Sequence, residues 1–284
     1  MPSPVDDFMA QTPAIVLGVL VIILMAIAAV AGFVLHSRQA RADASAGKAE
    51  DGDQQGYIVS GVVGLLALLM GFTFSLAVDR FEARRALVVE EANAIQIAYL
   101  QTQLLGEPHR ARISQILVTY LDNRIDLANA STRDQASGLL ATNNRLLTDL
   151  WAATSSAFLT IKGLDFSSTY VDTIGNVAAL DSSRKAARRV HVPTEVFLVL
   201  IVYMIMTAGV LGYVLTGRRG RTAAIFLSVL TTLALILIMD IDQPTRGGVK
   251  EGQGPMEALQ LSLKAQPPPV FDRFRIEDAK TAKP

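Results

Sequence analysis

The chain has 284 residues, of which 51% are hydrophobic and only 18% charged, with a mean hydropathy of +0.36 and a formal net charge of zero. So apolar a composition excludes an ordinary soluble domain and predicts a membrane protein with a polar part, whose first partner is the lipid bilayer. The even charge balance gives no reason to expect nucleic acid as a partner, and the absence of cysteine excludes disulfides and thiolate chemistry.

Residues 1–12 read as an N-terminal tail with Asp6 and Asp7 but no Lys or Arg. The apolar run 13–35 is long enough to span, and too long and wrongly flanked for a signal peptide, so it is predicted as transmembrane helix 1. Residues 36–56, HSRQARADASAGKAEDGDQQG, have too few apolar side chains to fold alone and read as a polar loop.

Transmembrane helix 2 is predicted over 57–78, and it is the candidate pore helix. No Gly or Pro interrupts the chain from Phe72 to Leu105, so one unbroken helix can cross the hydrocarbon and project beyond it. Gly61, Gly64, Gly71 and Ser75 recur at helical steps and make a stripe of small side chains suited to close helix packing. Leu65, Leu68 and Phe72 make an apolar stripe on an adjoining face. Either stripe can be plain packing surface. In an oligomer, the apolar one can instead line a pore as a hydrophobic constriction. Asp79, Arg80, Glu82 and Arg84 follow at the membrane boundary, as interfacial anchors and helix-surface ion pairs or as a charged vestibule repeated around an axis. Both signs are present, so the residues do not choose anion over cation.

An extramembrane helical bundle is predicted over 79–193. Gly106 ends the long helix and Pro108 opens the next, which carries Ile113, Ile116, Leu117, Tyr120, Arg124 and Leu127 at helical spacing, Arg124 being the polar interruption. Ser131 with Asp134 is the expected cap of a third helix, with Leu139, Leu140, Leu146, Leu147, Leu150, Trp151 and Phe158 on a broad apolar face. Ser167 or Ser168 is expected to cap a fourth, ending in Arg184, Lys185, Arg188 and Arg189, which suit the negative end of a helix dipole. Transmembrane helix 3 is predicted over 194–215, a tight basic loop over 216–221, helix 4 over 222–239, and a C-terminal tail over 240–284 that becomes extended and mobile from Gln266.

Nothing here assembles into catalysis. Glu90 and Glu91 diverge by about 100° on a helix and do not face each other as an acid–base pair. The bundle lacks the Glu-x-x-His of a di-iron site, and His36, His109 and His191 are scattered without metal-ligand spacing. Ser167 and Ser168 have no nearby His and Asp order. No enzyme, metal or cofactor is expected.

The segment from Gly71 to Arg85, GFTFSLAVDRFEARR, resembles the part of bestrophin anion channels where the pore-neck helix leaves the membrane. There a Gly-Phe pair precedes a Ser/Thr, an apolar run, an Arg, a large aromatic and further charges. A bacterial bestrophin-like membrane family is more similar still, sharing Arg80 to Arg84 and Glu91 to Ile95. In the tail, Asp242, Pro244, Gly247 or Gly248, and Pro255 are loosely similar to the turn after the last bestrophin membrane helix. The resemblance implies an all-α membrane protein with four transmembrane helices and an extramembrane bundle between the second and third. It further implies a homo-oligomer, a pentamer by likeness, conducting small inorganic monovalent ions through a hydrophobic neck in the cell (inner) membrane. Leu68 stands where the family has an aromatic and Gly64 where it has a bulky apolar residue, which predicts a shorter, wider constriction. Residues 245–250, Thr-Arg-Gly-Gly-Val-Lys, stand where calcium-gated relatives place acidic ligands, which argues against calcium gating.

Two matters stay open on sequence. Arg38, Arg41, Lys48 and then Arg218, Arg219, Arg221 mark the short loops as cytoplasmic, whereas the resemblance puts the bundle there. A non-conducting sensor or scaffold, whose bundle binds a ligand or partner, is the alternative to a channel. A pentamer favours the channel, and a dimer or monomer the sensor.

Overall fold

The computed structural model describes residues 12–46, 52–215, 217–243, 248–249 and 251–273. Among them it is all-α, with helices α1 (Ala14–Ala46), α2 (Gly52–Thr102), α3 (His109–Asn129), α4 (Arg133–Ile161), α5 (Ser167–Ala187), α6 (Thr194–Val214), α7 (Gly217–Asp242) and α8 (Gly254–Ala265), then a 3-10 turn, Pro268–Asp272. Helices α1, α2, α6 and α7 are long and apolar enough to cross a membrane. The chain divides into two compact units, one of residues 1–82 and 190–250, the other of 83–189 and 251–284.

The first unit holds α1, the first part of α2, α6 and α7. Its core is a seam of Leu17, Val21 and Met25 from α1, Leu66 and Met70 from α2, Leu200 and Met204 from α6, and Leu235, Ile238 and Met239 from α7. Many other large apolar side chains here are exposed, as expected of helices whose solvent is lipid. Helices α1 and α6 approach at Gly32, Gly209 and Gly212. A Cβ on Gly32 would run into the Gly209 carbonyl oxygen, and one on Gly212 into that of Ala29. Only hydrogen fits at Gly32 and Gly212, whereas a Cβ on Gly209 would make ordinary contact with Ala28 at 3.6 Å. By contrast, a Cβ on Gly61, Gly64 or Gly71 would meet none of the described residues within 4 Å.

The polar loop expected over 36–56 is largely helix. The Ala- and Arg-rich run keeps α1 going to Ala46, and α2 starts at Gly52; good helix formers can extend a nucleated helix without an apolar face. The basic loop is likewise mostly helical, because α7 starts at Gly217, whose φ of 79° suits a residue without Cβ at the chain reversal. Arg221 lies 4.2 Å over the Phe33 ring.

The second unit packs the rest of α2 with α3, α4, α5 and α8 around Ile95, Tyr99, Leu117, Tyr120, Leu150, Tyr170, Ile174 and Met256. Several local expectations are corrected. The α4 cap is Thr132, not Ser131: its hydroxyl accepts from the Gln135 amide at 3.2 Å, while the Gln135 side chain reaches back to the Ser131 N–H. Neither Ser167 nor Ser168 caps α5, whose N-cap position is Phe166 and lacks a side-chain bond. The apolar face of α4 is split, with Leu150, Ala153 and Ala157 in the core and Leu140, Trp151 and Phe158 left exposed. The tail is not extended and loose at its start. Asp272 takes Arg110 in a bidentate pair at 2.6 and 2.8 Å, Phe271 packs on the core, and the Tyr99 hydroxyl donates to the Gln266 carbonyl at 3.0 Å.

Candidate functional site

Helix α2 is 51 residues long, about 76 Å at 1.5 Å per residue, and it belongs to both units. In the first unit its buried face is Leu66, Met70, Thr73 and Ala77. Thr73 satisfies its hydroxyl on the Leu69 carbonyl at 2.8 Å, as a polar residue on a membrane helix must. The opposite face is bare. Leu65, Leu68 and Phe72 are 48%, 53% and 62% exposed, so the described residues of the protomer leave about half of each pore-lining candidate uncovered. Gly61, Gly64, Gly71 and Ser75 are exposed too, and a Cβ on any of the three glycines meets none of the described residues within 4 Å.

Of the boundary charges, Asp79, Arg80 and Glu82 are exposed. Arg84 is buried in the second unit, its Nε 3.2 Å from Oε1 of Glu251, and Arg188 reaches the other oxygen of that carboxylate at 3.5 Å. On a helix Asp79 falls about 20° from the line of Phe72, and Glu90, five turns on, falls back on that line. Arg80 and Arg84 lie about 80° and 120° away from it.

The second unit holds a polar layer that the sequence shows only in fragments. Glu91, fully buried on α2, accepts from the Tyr120 hydroxyl at 2.5 Å, from Arg124 at 3.0 Å and from Arg184 at 2.5 Å. Arg124 also donates to Asp181 at 3.2 Å. Asp181 further accepts from Asn143 at 2.9 Å and pairs with Lys185 at 2.6 Å. Thus α2, α3, α4 and α5 each send a side chain into one layer, and two buried carboxylates face two buried guanidinium groups. Burial, helped by the Glu91 charge, pushes the Tyr120 hydroxyl well above its usual range. Burial acts to lower Arg124, but Glu91, Tyr120 and Asp181 more than offset it and the net shift is upward. Burial lowers Arg184, although Glu91 opposes it. A separate phenol, Tyr170, is pushed up to about 12 by burial and shares a 3.1 Å hydrogen bond with Thr102.

Arg184 and Lys185 do lie in the last turn of α5, as the dipole reading expects, but they also turn to Glu91 and Asp181, and Arg188 to Glu251. Arg124 was visible as the polar break in an apolar stripe, but its partners lie tens of residues away and no spacing rule connects them. At the end of α7 both Asp240 oxygens accept backbone N–H groups, from Gly248 at 2.7 Å and Val249 at 3.1 Å, and Asp242 accepts from Val192 at 3.0 Å. The resemblance noted at Pro244 and Gly247, and Thr245, Arg246 and Lys250 of the calcium argument, lie outside the described residues. Among the described residues no cluster of His, Asp and Glu is arranged to hold a metal.

Residues 16–250 match the bestrophin-like domain. The fold is similar to crystal structures of a bacterial bestrophin homolog from Klebsiella pneumoniae. For a variant with tryptophan changed to alanine the TM-score is 0.65 at 16% identity, covering 90% of this chain and 97% of that one. For a structure phased with zinc it is 0.59 at 16% identity, covering 87% and 95%. At such identity the likeness is one of fold. No curated protein sequence matches the chain significantly.

Proposed function

The chain belongs to the bestrophin-like family, and from that premise we propose that it assembles in the cell (inner) membrane as a symmetric ring, a pentamer by likeness, that conducts small monovalent ions. In this reading α2 lines the axis, Leu65, Leu68 and Phe72 form the hydrophobic neck, and Gly61, Gly64, Gly71 and Ser75 lie where neighbouring copies pack. Of the boundary residues, Asp79 shares the line of Phe72 and faces the vestibule, with Arg80 and Glu82 at its sides. Arg84 serves instead to tie α2 to Glu251.

The observation that carries the reading is the bare face of α2. Three large apolar side chains at helical spacing, uncovered within their own protomer, are what stacked rings around an axis require. Purified protein in planar bilayers tests it, together with the mass of the detergent-solubilised particle. The reading expects a ring of several copies and currents carried by small monovalent ions. A monomer or dimer that carries no current would overturn it in favour of a sensor or scaffold.

A further inference from the structure

Between α2 and α6 the first unit leaves an open cavity of about 270 Å3, lined by Leu69 and Thr73 of α2 and by Glu195, Val196, Val199 and Leu200 of α6. An apolar cavity of about 150 Å3 takes up one benzene, so this one has room for roughly ten carbons. Four of its six lining residues are aliphatic. An aliphatic surface with no atoms against it forfeits dispersion contacts, and in a bilayer the nearest filler is an acyl chain.

The two polar side chains of the lining select the head of such a molecule. The Thr73 hydroxyl donates to the Leu69 carbonyl at 2.8 Å, so only its acceptor lone pairs are left for a ligand. As a carboxylate, Glu195 is acceptor only, and its side chain makes no hydrogen bond or ion pair with any of the described residues. The helix dipole alone suits an acidic residue in the first turn of α6, which accounts for the charge but not for the cavity beside it. Helix α6 has 21 residues and is about 31 Å long, the thickness of the hydrocarbon. Glu195, at its start, therefore lies at the membrane boundary, with Leu200 about 7.5 Å deeper. A molecule that fills this site brings positive charge and N–H donors to the boundary and runs a hydrocarbon chain inward. We propose that the α2–α6 cavity is a lipid site, which takes one acyl chain of an aminophospholipid of the phosphatidylethanolamine type and pairs its primary ammonium with Glu195. The inference needs the membrane setting of the first unit but not the pore.

The full chain would be reconstituted in vesicles of equal parts phosphatidylethanolamine and phosphatidylglycerol with identical acyl chains. After extraction in mild detergent, native mass spectrometry reads the lipid retained per chain. Phosphatidylethanolamine should be retained over phosphatidylglycerol by about two- to fivefold, the size of an ion pair at a wet boundary. Glu195→Gln should bring the two lipids to parity, and Val199→Trp, which fills the cavity, should remove the retained lipid. Glu195 is exposed and Val199 is 58% exposed, so neither change disturbs the core of the unit. Equal retention of the two lipids by the parent, or a preference that survives Glu195→Gln, would overturn the inference. So would a Val199→Trp protein that keeps as much lipid as its parent. A parent that retains no lipid, with a Val199→Trp particle of lower mass, would show that a second copy covers the cavity instead.

Discussion

Glu91, Arg124 and Arg184 are each at most 3% exposed, so truncating any of them strands a partner in the bundle interior. Breaking a buried ion pair from one side costs about 3–5 kcal/mol, and Glu91→Ala should lower the unfolding free energy of the bundle by that order. Tyr120→Phe, which removes a bond to the carboxylate but no charge, should cost less, about 1.5–3 kcal/mol, and denaturant titration in detergent ranks the two. Phe72 is the opposite case. At 62% exposure it contributes little to the protomer, so Phe72→Ala should leave protomer stability nearly unchanged while raising conductance or open probability in bilayers. A Phe72→Ala protein that melts early and conducts no better than its parent would show that Phe72 is packing, not neck. The sequence made Phe72 legible because its stripe is local and periodic. Glu91 was hidden beside Glu90, since burial of one and exposure of the other depends on helices contributed by residues 110–185.

At the scale of the element, α2 was the easiest part of the chain to foresee. The uninterrupted stretch after Gly71 predicts one long helix, and one long helix is present; only its start, at Gly52, lay inside what reads as loop. The register adds something the composition could not. Asp79 and Glu90 lie near the Phe72 line, neither is in an ion pair with any of the described residues, and Arg84 on the same helix is buried against Glu251. A pore along that line would have acidic walls beyond the neck and favour cations. Asp79→Asn combined with Glu90→Gln should shift the reversal potential under a salt gradient toward anion permeation, and more so at low ionic strength, where screening is weak. An unchanged reversal potential would remove both carboxylates from the conduction path. The α1–α6 contact was not foreseen: Gly32 lies far in sequence from Gly209 and Gly212, while a Cβ on the conspicuous Gly61–Gly64–Gly71 stripe meets none of the described residues. A small-residue stripe says that close packing is possible, but only the fold says against what.

For the whole molecule, the division into a membrane-type unit and a bundle was legible from hydropathy, since four helices carry the apolar runs and the bundle has amphipathic ones. Which side of the membrane the bundle occupies was not, because the two physical signals conflict. Arg218, Arg219 and Arg221 sit in and beside the start of α7, a short connection where the positive-inside rule is strong, and they place that turn in the cytoplasm. The bundle is a long excursion that the rule weighs lightly, and the resemblance to bestrophins noted in the sequence implies keeping it inside. Tail and bundle share a side, since Met256, Leu259 and Leu263 of α8 are buried in the bundle core. A reporter at the chain end therefore reports the bundle. If the family orientation holds, a reporter that functions only in the cytoplasm works when fused at Pro284 and is silent when inserted after Gly217. The reverse pattern would put the bundle outside, make the α6–α7 turn cytoplasmic, and require any ion entering by the Asp79 end of the pore to come from the external face.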